Sequence, residues 1–208
     1  YAYANQPAIA QWNMARFAEC LLPLLDPDPD RAVDLANEAI SAFGPRYQAH
    51  WLAGMREKLG LSGEADGDLD LVRGLLEAMH ANGADFTLTF RRLCAAAADP
   101  AADAGVRALF SDPGAYDAWA VLWRSRLAAD GRRPEARAQA MRAVNPAVIP
   151  RNHRVERALE AAIDAGDLSP FEDLMAALAR PYEDRPEFAA YADPPGSSER
   201  VFQTFCGT

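Results

Sequence analysis

The chain has 208 residues, half of them apolar and a quarter charged, with a formal charge of −9. That is an ordinary globular composition, and it excludes a disordered chain. A strongly acidic chain repels phosphate backbones, and no window approaches eighteen apolar residues, so nucleic-acid binding and a membrane span are both disfavoured.

The pattern predicts helices throughout, separated by Pro, Gly and Asp. The first starts near Asn5 with Pro7 in its first turn. It carries Ile9, Trp12, Leu21 and Leu25, and stops before Asp26-Pro27-Asp28-Pro29. Each Pro there disfavours helix in the residue before it. A second, from about Asp30, aligns Val33, Ala36, Ile40 and Phe43, with Gly44-Pro45 as its stop. A third runs from about Arg46 to Leu59 with Trp51, Leu52, Met55 and Leu59 inward.

Gly60 to Gly67 reads as a polar loop. The fourth helix, from about Asp68, carries Leu69, Val72, Leu75, Leu76 and Met79 and ends at Asn82-Gly83. Asp85 is placed to cap a fifth helix bearing Phe86, Phe90 and Leu93. After a connection over Asp99 to Gly105 comes a short apolar run at Val106, Leu109 and Phe110. Ser111-Asp112-Pro113 then opens a helix with Tyr116, Trp119, Trp123 and Leu127 on one face. Pro134 opens a helix with Ala140, Met141 and Val144, broken by Asn145-Pro146. A helix with Val155, Leu159 and Ile163 ends at Gly166, and Ser169-Pro170 starts one with Phe171, Leu174, Met175 and Leu178. From Arg180 onward the chain is Pro-rich, and Val201 to Phe205 reads as extended or as a short strand. The fold class is therefore all-α. The expected division is a helical domain over residues 1–180 and a Pro-rich tail over 181–208.

The chemistry-bearing residues are sparse. No glycine-rich phosphate loop is present, and Lys58, the single lysine, reads as a solvated surface residue. Short basic clusters occur at Arg91-Arg92, Arg132-Arg133 and Arg151 to Arg157. Asp85-Phe86-Thr87 reads as a helix start. His50, His80 and His153 lie on different elements. The run Asp66, Asp68, Asp70 with Glu77 partly fits a calcium loop, but Leu71 stands where the turn needs Gly, so a solvated loop leading into a helix is the better reading. No catalytic, cofactor-binding or metal residue is assigned in this chain.

Three scattered cysteines with no CxxC point to a reducing compartment, hence a cytoplasmic location. Cys20 and Cys94 fall among apolar neighbours and read as buried and inert. Cys206, third from the C-terminus, is the candidate redox residue, because a tail thiol is accessible. The chain opens on Tyr1 without an initiator Met and without a signal-peptide pattern, the start expected of a processed chain or a fragment.

Several segments together resemble the selenoprotein O (YdiU) family. They are Tyr1-Ala2-Tyr3-Ala4-Asn5-Gln6-Pro7 with Trp12-Asn13 and Ala15-Arg16, and Gly83 through Leu93. Further along come Met141 through Pro146 with Arg151-Asn152-His153, Gly166 through Phe171, and Cys206-Gly207-Thr208. The resemblance covers essentially the whole chain in order. It implies a protein-kinase-like fold and transfer of AMP from ATP to hydroxyl side chains of proteins. It also implies that the phosphate-gripping Lys, its partner Glu, the catalytic-loop Asp and Asn and the metal-binding Asp all lie upstream of Tyr1. ATP and Mg²⁺ would then belong to the longer parent, and the chain alone would be inactive. Its partners would be the missing N-terminal lobe, the parent's protein substrates, and a second copy of the chain across an exposed apolar face near the first helix.

Cys206 matches a position that some members fill with selenocysteine. In some bacterial members a cysteine there pairs with one in the activation segment. That partner would precede Tyr1, leaving Cys206 unpaired here. The Gly207-Thr208 ending departs from the family's common Cys-Ser-Ser. The alternative from the residues alone is a stand-alone all-α protein-interaction module. A third reading keeps a thiol-redox role without nucleotide chemistry.

Overall fold

The computed structural model describes residues 5–201, all helix, turn or irregular backbone, with no strand among them. The α-helices are α1 (Gln6–Leu25), α2 (Pro29–Ser41), α3 (Phe43–Leu59), α4 (Asp68–Asn82), α5 (Phe86–Ala96), α6 (Asp103–Arg107), α7 (Pro113–Ala128), α8 (Pro134–Val144), α9 (Asn152–Ala165) and α10 (Ser169–Leu178). Short 3₁₀ turns lie at Pro100–Ala102 and Pro186–Tyr191. The all-α expectation holds across the described residues. The chain divides into two compact units, one ending at Met55 and one beginning at Arg56.

In the first unit α1 and α2 pack against each other. Pro7 sits in the first turn of α1, where its missing N–H has no helical partner to lose. Asp28 caps α2 by accepting from the Asp30 backbone N–H at 3.0 Å, and Pro29 opens it. Gly44-Pro45 does not stop α2, contrary to expectation. α2 ends at Ser41, and both residues lie in the first turn of α3, where a proline is tolerated. α1 buries no residue, and α2 buries only Ala32 and Ala36.

The second unit has a conventional core. α7 supplies Tyr116, Trp119, Trp123 and Leu127, all buried as their spacing predicts. The rings of Trp119 and Trp123 stack at 5.3 Å, and Tyr116 continues the row at 6.1 Å. Buried indole N–H groups need acceptors. Trp119 donates to the Leu71 carbonyl at 2.8 Å and Trp123 to the Leu59 carbonyl at 2.9 Å, which ties α7 to α4 and to the end of α3. Val72, Leu75, Met79, Phe90, Leu93 and Met141 complete the core.

Gly60 turns the chain out of α3 at φ +71°, and a Cβ there would meet Met141 Sδ at 2.6 Å. Both its conformation and its close approach require glycine. A smaller cluster joins Ala147, Val148 and Ala177 to Leu178, Phe188 and Tyr191. The Pro181 carbonyl accepts from the backbone N–H groups of Ala147 and Val148, so the chain after α10 is bound to the chain after α8.

Candidate functional site

Two of the segments that carry the family resemblance, Gly83 through Leu93 and Met141 through Pro146 with Arg151-Asn152-His153, meet in space within the second unit. Asp85 caps α5, accepting from the Leu88 N–H at 2.8 Å. The same carboxylate takes a two-point ion pair from Arg151, at 2.8 and 3.0 Å. Burial pushes the Asp85 carboxyl up, but hydrogen bonds from Arg151 and the α5 backbone outweigh it and hold it below the ordinary range. Arg91, on the same helix, donates to the Arg142 and Asn145 carbonyls that end α8, to the Tyr182 carbonyl and to Asp184. It therefore staples three segments that are remote in sequence.

Lys58 is not the solvated lysine that the sequence suggests. Its ammonium donates to the Val144 carbonyl at 3.0 Å and to Asn145 Oδ1 at 3.3 Å, and lies 5.8 Å from the centre of the Phe90 ring. Fully buried Asn145 answers by donating to the Lys58 carbonyl at 2.8 Å. The end of α3 and the end of α8 thus clamp each other. Burial lowers the Lys58 pKa from its ordinary value. Its only position in the sequence that signals this is the α3 terminus, and the partner lies 87 residues away.

The acidic run before α4 also differs from expectation. Asp68 is buried rather than solvated. Arg56 and Arg126 donate to it at 2.7 and 2.8 Å, and the Ala65 N–H at 3.0 Å. Burial raises this carboxyl and the two guanidinium groups outweigh it, so its pKa is lowered. Asp70 and Asp66 do not join it. Among the described residues no group of three or more His, Cys, Asp or Glu side chains gathers as a metal site. Two further acids are paired. Asp130 pairs with Arg137, and partly buried Asp103 takes Arg124 at 2.6 Å together with the Tyr116 hydroxyl at 2.6 Å.

The candidate redox residue Cys206 lies outside the described residues. Cys94 is buried as expected. Burial raises its pKa and outweighs the lowering by the Asn145 amide that donates to its sulfur at 3.7 Å, so it is a poor nucleophile. Cys20 is exposed on α1, against expectation, because α1 buries none of its faces. His50 and His80 lie on α3 and α4. His153, near the start of α9, borders a cleft of about 640 Å³ with Glu156, Arg157, Glu160 and Ser198–Val201. Among the described residues its Nδ1 has no hydrogen-bond partner, and burial lowers its pKa.

Lys58 is committed to the Val144 carbonyl, Arg91 and Arg151 are engaged by internal partners, and among the described residues no group of three or more carboxylates converges. What the surface offers instead is apolar. On α1, Ile9, Trp12, Phe17 and Leu24 are exposed, Leu24 by 81%. On α9 and α10, Leu159, Ile163, Phe171 and Met175 are exposed, Ile163 by 80%. No helix among the described residues is long and apolar enough to cross a membrane.

A family model described as protein adenylyltransferase SelO matches residues 1–179. Over all 208 residues the chain is 62% identical to a protein of Rhizobium johnstonii named protein nucleotidyltransferase YdiU. It is 55% identical to the protein of that name in Rhizobium meliloti and 53% to the one in Nitrobacter hamburgensis. The chain spans 42%, 42% and 41% of their respective lengths. The residues that meet around Asp85, Arg91, Asn145 and Arg151 lie within the matched span, and the chain belongs to the SelO family of protein adenylyltransferases.

Proposed function

We propose that the chain is the C-terminal helical part of a longer protein adenylyltransferase. The parent would move AMP from ATP to Ser, Thr or Tyr hydroxyls of proteins, the hydroxyl oxygen attacking the α-phosphorus and pyrophosphate leaving. Residues 1–180 would complete a kinase-like large lobe and its extension. Residues 181–208 would carry Cys206 as a regulatory thiol. Nucleotide and Mg²⁺ would be held by the rest of the parent, in the bacterial cytoplasm, and this chain alone would transfer nothing.

The observation that carries this reading is the use to which the family's segments are put. Asp85, Arg91, Asn145, Arg151 and Lys58 bind one another and backbone carbonyls. They brace a fold and offer no free group for phosphate chemistry, which rests on positioned cations and metal. The exposed face of α1 supports the same reading. In twenty residues α1 has only Arg16 and Glu19 as charges, and it buries nothing. Such a face fits a permanent contact with the catalytic part of the same protein, in line with the apolar character of obligate interfaces.

The test is transfer of label from α-phosphate-labelled ATP to protein, together with Mg-ATP calorimetry on the 208-residue chain. Expected are no heat and no label from this chain, and label from a full-length relative. Nucleotide binding by the isolated chain would overturn the proposal. Mild peroxide followed by peptide mass mapping tests the tail. Cys206 is expected to oxidise faster than Cys20 and Cys94, and equal rates would remove its redox role.

A further inference from the structure

The hairpin of α9 and α10 carries an outer face that its own packing does not use. The two helices pack against each other, with Ala158, Leu174 and Ala177 buried. That satisfies the inward stripe of each helix. A second apolar set remains in solvent. Leu159 and Ile163 are one turn apart on α9, Phe171 and Met175 one turn apart on α10, and Leu168 lies in the connection. Helical residues four apart share a face. Five large exposed apolar side chains within seventeen residues are not the scatter expected of a solvated surface.

The charges around this set are one-sided. From the start of α9 at Asn152 to the end of α10 at Leu178 there are six carboxylates, Glu156, Glu160, Asp164, Asp167, Glu172 and Asp173, against two arginines, Arg154 and Arg157, and Arg154 is turned onto the Ala190 carbonyl and the Tyr191 ring. Among the described residues none of the six is in an ion pair, although twelve such pairs occur elsewhere. Like charges held close repel, and a cationic partner relieves that repulsion. The α1 face is different, being almost without charge, so one occupant cannot serve both equally.

We propose that the outer face of the α9–α10 hairpin docks a basic amphipathic helix of a partner protein. Its apolar anchors at i, i+3/i+4 and i+7 would lie on Ile163, Phe171 and Met175, and its Lys or Arg residues would meet the flanking carboxylates. Met175 suits this role, because an unbranched thioether adapts to varied apolar anchors. The acidic rim opposes an anionic membrane and a second acidic copy of the same face.

The experiment is fluorescence anisotropy on the 208-residue chain. The probe is a labelled Lys/Leu peptide with leucines at helical spacing, and the comparison is the same peptide with Glu for Lys. The Lys/Leu peptide is expected to bind and the Glu/Leu peptide not to. Ile163→Asp with Phe171→Asp is expected to weaken binding by about tenfold or more, the scale of losing central anchors. Glu160→Lys with Asp164→Lys is expected to weaken it several-fold and flatten its salt dependence. Asp34→Lys with Glu38→Lys on α2 is expected to change it less than about twofold. Because these sites are exposed, the helical circular dichroism is expected to stay unchanged. Equal losses from the α2 and α9 charge reversals would reduce the binding to general acidity and overturn the proposal. So would binding indifferent to Ile163 and Phe171, no binding at all, or an Ile163-dependent attachment to phosphatidylcholine vesicles in place of the peptide.

Discussion

The two units are built from the same kind of helix and keep their apolar residues in opposite places. In the second, α7 buries Tyr116, Trp119, Trp123 and Leu127 and anchors its indoles on carbonyls of two other helices. In the first, α1 is as apolar and buries nothing. The difference shows that an apolar stripe records a need for a partner and not where the partner is. One helix finds it inside its unit, and the other displays the stripe to solvent.

The comparison breaks most visibly at Trp123. Trp123→Ala is expected to destabilise the second unit by about 3–5 kcal/mol, since it empties a core site and orphans the Leu59 carbonyl. Chemical denaturation reads this directly. Asp68→Ala comes next, at about 3 kcal/mol, because it removes the counter-ion that Arg56 and Arg126 share and leaves Arg126 without any carboxylate partner. An effect below about 1 kcal/mol would mean that the triad is solvated in practice. Gly60→Ala is expected to cost about 1–3 kcal/mol, through contact with Met141 and an unfavourable positive φ.

Acid sharpens the same contrast. The folded pKa values of Asp68, Asp85 and Asp130 are lowered, so the unfolded chain takes up protons first as pH falls. Their stabilisation is present above the unfolded carboxylate value of about 4 and is lost as pH drops through the folded values. His153, also lowered, adds loss of the same sign beginning near about 6.5. The melting temperature should therefore decline on the acid side, and a flat profile from neutral to strongly acidic pH would contradict the buried pairs. The smallest effect is expected at Trp12. Trp12→Ala on exposed α1 should stay within about 0.5 kcal/mol in this chain. A core-sized loss there would show that α1 is packed.

Much of the second unit was readable from local signals. The spacing of Tyr116, Trp119, Trp123 and Leu127 predicts one buried face, and Asp85 caps α5 as its position before an apolar run suggests. What was not readable depends on distant residues. Asp68 looks like a solvated acid until Arg126, 58 residues on, reaches it. Lys58 looks like a surface lysine because no local pattern announces an acceptor at Val144. The spacing of α1 and α2 predicts apolar stripes but not what covers them, since periodicity carries no information about which neighbour is present: Ala36 on α2 is buried, while Ile9 and Trp12 on α1 are exposed. Gly44-Pro45 shows the same ambiguity on a shorter scale, because a Pro that ends one helix is equally at home in the first turn of the next.

The reciprocal bonds between Lys58 and Asn145 have a kinetic consequence. They close a loop of 87 residues, so the entropy of closure must be met before either bond rewards it. Contacts of that span are expected to form late, after the more local packing of α4, α5 and α7. Weakening the clamp should therefore leave the refolding rate nearly unchanged and quicken unfolding. On that account the chain's single lysine acts as a latch, governing how long the folded state lasts more than how fast it is reached.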